Sequence, residues 1–281
     1  MEPPGEPSTE QGYRTPRHRL VKESGGWPIA SITPKDLEGF LARLMERDTL
    51  SKATRNRYLA FLKSLFKVAV RWGYVAGNPT ADIKQIKETP KRTRHLTAEQ
   101  LARLMQVLKS RGGLAYDVAL MMAETGLRLG TVRQLQWGQV DFEQGVLFIP
   151  KTKNHDSLEV PIGKMLYAHL QRLYGQRQST NLVPLSHGRD WVFPSPADPT
   201  KPFHTIRKSL IAAGQEAGIG PVHHHMFRTS LITDMVNANV NPFVTQQVVG
   251  HKNIATTQSY YRRSLGAARK AMEQVQAHRA S

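Results

Sequence analysis

The stretch Gly250-His251-Lys252-Asn253-Ile254-Ala255-Thr256-Thr257-Gln258-Ser259-Tyr260-Tyr261-Arg262-Arg263 sets a histidine nine residues ahead of a tyrosine, with arginines close behind it. A tyrosine hydroxyl ionises near pH ~10, so on its own it is a poor nucleophile at neutral pH. Cationic surroundings favour the phenolate and also neutralise a phosphodiester under attack. These residue types together suggest covalent chemistry on a phosphate. Taken alone, the stretch fits equally well two half-buried aromatic side chains on a surface helix, so the rest of the chain has to decide.

Composition narrows the choice. The 281 residues suit two modest domains, and a hydrophobic fraction of 40% is enough for proper cores. Lys and Arg total 39 against 22 for Asp and Glu, which gives a formal charge of +17 and a pI of about 10.3. Such a charge repels itself and calls for a polyanionic partner, of which nucleic acid is the commonest. The rival, an anionic membrane surface, gains no support, because no apolar run approaches the ~18 residues of a span. No lipidation or secretory signal is visible. The absence of cysteine excludes disulfides, zinc–thiolate sites and cysteine nucleophiles, and fits a cytoplasmic protein.

Along the chain, residues 1–27 are rich in Pro, Gly, Ser and charge and read as a flexible, partly basic tail. Residues 28–84 read as a small helical domain. Thr33-Pro34-Lys35-Asp36 signals one helix start, and Leu37, Phe40, Leu41 and Leu44 follow at helical spacing. A longer helix follows Ser51, with Tyr58, Leu59, Leu62, Leu65 and Phe66 on its core side. Lys52, Arg55, Arg57, Lys63, Lys67 and Arg71 lie elsewhere around it without interleaved acids, which favours a DNA-contacting face over a merely solvated one. Residues 85–95 form a basic linker with Lys91, Arg92 and Arg94, suited to lie along a phosphate backbone so that two domains clamp a duplex.

The second domain, 96–281, restarts at Thr97 with Gln100 as its capping-box partner. A buried helix near 114–124 ends at Thr125-Gly126-Leu127-Arg128, which puts Arg128 at a junction between apolar segments. It needs an anionic partner there: a ligand, or an ion pair with Glu124 or Asp141. Two strand-like runs, 145–149 and 158–162, flank a polar turn that carries Lys151 and Lys153. Helices are expected near 164–174 and 203–217, and the proline-rich 179–202 reads as an irregular surface connection. His223-His224-His225 suggests a metal site only superficially, since consecutive side chains do not converge on one ion. His225 and Arg228, three residues apart on a helix, share a face and can reach one anion. A further helix near 242–249 delivers Gly250-His251, and an amphipathic one over 264–278 ends the chain, folding back or docking on a neighbour.

Arg128, Lys153, His225, Arg228, His251 and Tyr260, in this order and behind a basic helical domain, resemble the tyrosine recombinase, or phage-integrase, family over about residues 28–265. The resemblance implies a mainly α fold with a small β-hairpin, an α+β arrangement of a helical core-binding domain and a catalytic domain. It implies attack by Tyr260 on a DNA phosphodiester, giving a 3′-phosphotyrosyl bond and a free 5′-hydroxyl. Arg128 and Arg228 would clamp the non-bridging oxygens, Lys153 would protonate the leaving oxygen, His225 would handle the tyrosine proton, and His251 would hydrogen-bond the phosphate. No metal, nucleotide or other cofactor is called for, and the partner is double-stranded DNA, gripped by a homotetramer.

Lys153 is preferred to Lys151 because the family's lysine precedes the proline of the second strand by eight residues, as Lys153 precedes Pro161. Tyr260 is preferred to Tyr261 only by its nine-residue step from His251. The family usually carries an acid three residues after the first arginine, where this chain has Thr131. Two other functions remain open: DNA relaxation of the type IB topoisomerase kind, and non-catalytic DNA binding on the same scaffold. A relaxation assay without a specific site separates the first, and the absence of any covalent adduct would mark the second.

Overall fold

A computed structural model describes residues 7–46, 50–88, 94–150, 157–179, 190–261, 272–273, 275–276 and 279. The chain divides into two compact units, Met1–Arg92 and Thr93–Ser281. Among the described residues no helix is long and apolar enough to cross a membrane.

The first unit is helical: α1 (Pro7–Ser24), α2 (Pro34–Glu46) and α3 (Lys52–Arg71). The expected caps are in place. Thr33 and Asp36 bond reciprocally at the start of α2, and the Ser51 hydroxyl accepts from the Thr54 amide at the start of α3. Leu37, Phe40, Leu41 and Leu44 of α2 meet Tyr58, Leu59, Leu62 and Phe66 of α3 in one core.

The N-terminus differs from expectation, since most of the supposed tail is α1. Its sequence holds few apolar residues and an internal proline, Pro16, so composition hides it. Burial of Leu20 in the shared core and an ion pair between Glu23 and Arg43 at 3.1 Å hold the helix in place.

Arg55 also departs from its expected role. It is buried, not on an outer DNA-facing surface, and its Nη1 donates to the Lys84 carbonyl at 2.8 Å. Burial pushes its pKa down. Asn56 beside it donates from Nδ2 to the Ile86 carbonyl at 2.8 Å and to Glu88 at 2.9 Å, and accepts the Ile86 amide at 3.0 Å. The segment that leaves the unit has no ladder of its own, so these two side chains satisfy its backbone. Lys52 and Arg57 remain exposed and Lys63 half-buried, whereas Lys91 and Arg92 lie outside the described residues.

The second unit contains α4 (Ala98–Arg111), α5 (Leu114–Thr125), α6 (Leu129–Arg133), β1 (Val140–Asp141), β2 (Val146–Ile149), β3 (Leu158–Pro161), α7 (Lys164–Ser179), β4 (Pro194–Ser195), β5 (Asp198–Pro202), α8 (Arg207–Glu216), α9 (His225–Asn237), α10 (Pro242–Val249) and α11 (Ile254–Tyr261). The capping box of Thr97 and Gln100 forms as read. The expected hairpin is β2–β3, with Leu147 opposite Val160 facing the core, and β1 extends it to three antiparallel strands. Lys151 and Lys153 fall in its turn, outside the described residues.

Of the connection after α7, residues 180–189 lie outside the described residues, and the part from Asp190 on is not the irregular surface segment expected. Trp191, Val192 and Phe193 are buried, and the Val192 amide donates to the Leu135 carbonyl at 2.9 Å. β4 and β5 then pair as a separate two-stranded ribbon. Prolines are tolerated there because a ribbon is all edge. The helix expected over 264–278 lies almost wholly outside the described residues.

Replacing Asn56 by Ala leaves the Ile86 amide and carbonyl without partners. The expected cost is about 1–3 kcal/mol of unfolding free energy, measured by urea titration. Replacing exposed Lys52 by Ala should change stability by less than about 0.5 kcal/mol.

Candidate active site

The site begins at the end of α5. Gly126 closes that helix in the left-handed conformation, with φ of +64°. A Cβ there would also stand 2.9 Å from Leu231 Cδ2, so the position requires glycine. Thr125, fully buried, donates to the Met121 carbonyl at 2.6 Å and accepts the Leu127 amide at 3.3 Å. The chain therefore leaves the helix in one fixed direction, and Arg128 emerges exposed at the start of α6. Arg128 forms no ion pair among the described residues. Asp141, one of its supposed partners, instead accepts the Glu143 and Gln144 amides, each at 2.9 Å. Glu124, the other, has its carboxyl pKa raised by burial.

The second arginine comes from α9, a helix buried all round from Met226 to Ser230. Thr229 and Ser230 sit in this interior because each bonds a carbonyl four residues back, at 3.1 and 2.8 Å. Ser230 also accepts the Leu96 amide at 2.8 Å. Arg228 is only 2% exposed. Its Nη1 donates to the Gly126 carbonyl at 2.8 Å, while the buried Nη2 has no hydrogen-bond partner among the described residues. Burial lowers its pKa to about 10, the neighbouring Arg128 charge pulls the same way, and Tyr260 opposes them. A buried guanidinium beside a second one, with a donor lacking a protein partner among the described residues, is suited to meet an anion.

His225 stands on the solvent side of the first turn of α9. Its pKa is lowered by partial desolvation, then by Arg228, His224 and Arg128. His251 follows Gly250, which ends α10 with φ of +63° and would carry a Cβ 2.8 Å from Leu158 Cδ2. The His251 amide donates to the Gln246 carbonyl at 3.0 Å, and Gln246 Nε2 donates back to the His251 carbonyl at 2.9 Å. Burial, then Arg228, Arg128 and His225, lower the imidazole pKa to about 4, so it is neutral at physiological pH.

The two tyrosines of α11 separate cleanly. The Tyr261 hydroxyl is engaged with Thr245 Oγ1 at 2.7 Å and with the Val240 carbonyl. Tyr260 is half-buried against Ile232, Val236 and Val249, and its hydroxyl is near enough to Arg228 to act on its charge. Five of the six expected side chains, Arg128, His225, Arg228, His251 and Tyr260, thus form one electrostatically coupled cluster. Lys153 lies outside the described residues. His223, His224 and His225 belong to no metal-binding group among those residues. Of the linker residues, Arg94 donates to the Ile219 carbonyl at 2.6 Å and the Pro221 carbonyl at 3.4 Å, a fixed structural use that sequence alone did not show. Thr257, which holds His251, was also missed; nothing in its spacing distinguishes it from Thr256.

Two guanidiniums, two imidazoles and one phenol are thus gathered on a mostly helical scaffold. The chain belongs to the phage integrase family, the tyrosine recombinases: the family model matches residues 94–265, and that of the phage integrase N-terminal SAM-like domain matches residues 17–73. It is 28% identical over 246 residues to the tyrosine recombinase XerC of Oceanobacillus iheyensis, covering 86% of this chain and 80% of that one. It is 27% identical over 240 residues to a putative integrase/recombinase of Haemophilus influenzae, covering 83% and 73%. Among solved structures, the Tn1549 transposon integrase with transposon right end DNA superposes with a TM-score of 0.76 at 21% identity, over 95% of this chain and 93% of that one. The XerH recombinase on palindromic difH substrate gives 0.77 at 18% identity, over 94% and 79%.

The depressed His251 pKa has a consequence for stability. Between about 4 and 6.5 the unfolded chain binds a proton that the folded chain refuses, so stability rises with pH across this window and is lost on acidification. Denaturation at a series of pH values should show that slope, and His251→Gln should flatten it.

Proposed function

We propose that this enzyme is a site-specific recombinase that cuts and rejoins duplex DNA through a 3′-phosphotyrosyl intermediate formed by Tyr260. The observation that carries this reading is the buried, half-satisfied guanidinium of Arg228 beside Arg128, His251 and the Tyr260 phenol. A phosphodiester is the ligand that this set suits. Its two non-bridging oxygens accept from the free Nη2 of Arg228 and from Arg128, and the planar forks match the charge that develops in the transition state.

The Tyr260 oxygen forms the new bond to phosphorus as the bond to the 5′-oxygen breaks. His225 takes the phenolic proton, and Lys153 gives one to the departing 5′-oxygen. His251, neutral, donates a hydrogen bond to the phosphate. The phosphotyrosyl ester keeps the energy of the broken bond, so a 5′-hydroxyl from another strand reverses the reaction without a nucleotide. The charge neutralisation a metal would supply comes from the arginines and the lysine. Each cleavage uses one tyrosine, and exchanging both strands of two duplexes takes four, so the working form is a homotetramer assembled on DNA. Exposed Lys52, Arg57 and half-buried Lys63 supply backbone contacts from the first unit, with Lys91 and Arg92 beyond them. The DNA complexes of the Tn1549 integrase and XerH support a duplex partner.

The test is adduct trapping on a library of nicked duplexes with randomised arms, read on a denaturing gel. Tyr260→Phe should abolish the adduct, whereas Tyr261→Phe should retain it in a less stable protein. Loss of the adduct in Tyr261→Phe alone would assign the nucleophile to the wrong residue.

Lys153 has its own signature. Lys153→Ala should slow cleavage by about 10²–10⁴-fold, the usual worth of a general acid. A substrate with sulfur in place of the bridging 5′-oxygen needs no such acid. It should restore the rate in Lys153→Ala and leave Arg228→Ala inactive. Rescue of Lys151→Ala instead would move the role two residues back.

A further inference from the structure

Thr257 is fully buried in α11, one helical turn before Tyr260. Its Oγ1 lies 2.8 Å from His251 Nδ1. The backbone of His251 is already pinned on both sides by Gln246, so this contact is what fixes the ring itself. A neutral imidazole carries one N–H, and the partner of one nitrogen decides the character of the other.

The direction of the bond follows from where the threonine proton can go. Thr125, Thr229, Ser230 and Thr233 are helical hydroxyls too, and each donates to the carbonyl four residues back, at 2.6 to 3.1 Å. Thr257 makes no such bond. Its single hydrogen bond among the described residues is the one to His251. A buried hydroxyl proton requires an acceptor, and Nδ1 is the one on offer.

We infer that Thr257 is a positioning residue for the reaction: its hydroxyl donates to His251 Nδ1, holds the imidazole as the Nε2–H tautomer, and so presents a donor to the scissile phosphate. The inference rests on the reading of this cluster as a phosphate site. The opposite tautomer would turn a lone pair toward a phosphate oxygen, which only accepts. Burial, then the arginines and His225, keeps the ring uncharged, so the tautomer alone settles whether His251 helps or repels. Because Thr257 and Tyr260 share a face of α11, the same helix that carries the phenol also sets the donor. Phosphate contact and nucleophile are then adjusted together by one element.

The test has an arm that needs neither DNA nor catalysis. Nitrogen-15 spectra of the imidazoles, with His251 identified by the signal lost in His251→Gln, should show Nε2–H in the wild type and in Thr257→Ser. Thr257→Val, which keeps the shape and removes the hydroxyl, should show a mixture. In single-turnover cleavage Thr257→Val should be about tenfold slower, the worth of one neutral hydrogen bond, with DNA affinity unchanged. Thr257→Ser should recover the rate. In the His251→Gln background Thr257→Val should cost nothing more. A wild-type signal from Nδ1–H overturns the inference, as does an undiminished rate in Thr257→Val or an equal loss in both backgrounds. If the wild type itself forms no adduct, the recombinase reading fails while the tautomer assignment is still decided by the spectra.

Discussion

The bond from Arg228 Nη1 to the Gly126 carbonyl is the contact on which the site depends. It joins two segments that are remote in sequence, and it makes the first arginine's turn the anchor of the second arginine. The left-handed Gly126 serves both ends: it turns the chain so that Arg128 projects, and it offers its carbonyl to Arg228. Two guanidiniums brought this close repel, and burial of one makes the repulsion worse. What holds them is packing and hydrogen bonding around them: Thr125 on its own helix, Thr229 and Ser230 on α9, and Leu231 against the turn. The protein spends stability to keep the Arg228 charge buried beside Arg128, a pattern expected of pre-organised functional groups.

The tyrosine helix is fastened by different means. Tyr261 and Thr257 are its two polar anchors, one reaching Thr245 and Val240, the other His251. Between them Tyr260 is left with apolar neighbours, on the side of Arg228. Adjacent tyrosines that look alike as letters thus differ in their surroundings. One has its oxygen committed within the fold; the other forms no side-chain hydrogen bond among the described residues.

Much of this was legible in the sequence, and the part that was not has physical causes. Helix starts at Thr33, Ser51 and Thr97 could be read because capping is local chemistry, completed within three residues. The β2–β3 hairpin was legible for the same reason, with alternation on both sides of a polar turn. Arg128, His225, Arg228, His251 and Tyr260 were found through order and spacing, but their convergence is a tertiary fact. The failures are all tertiary overrides. Helix α1 has little helical signal of its own and is held by Leu20 and Glu23. Arg55 has the charge expected of a DNA contact and the position of a core donor, which only the return of the Lys84 carbonyl reveals. The β4–β5 ribbon is written in prolines that normally mark a loop, and Trp191 to Phe193 pull it inward.

Arg55 and Arg94 also alter how the charge of this chain should be understood. A formal charge of +17 suggests a surface made for a polyanion, yet some of these cations are spent on carbonyl groups of the chain itself. Arg55 ties down the segment leaving the first unit, and Arg94 the segment entering the second. Each of these two arginines is thereby fixed within its own unit. A cation count alone would have credited both to a polyanionic partner, whereas each meets a carbonyl that the backbone leaves without a ladder.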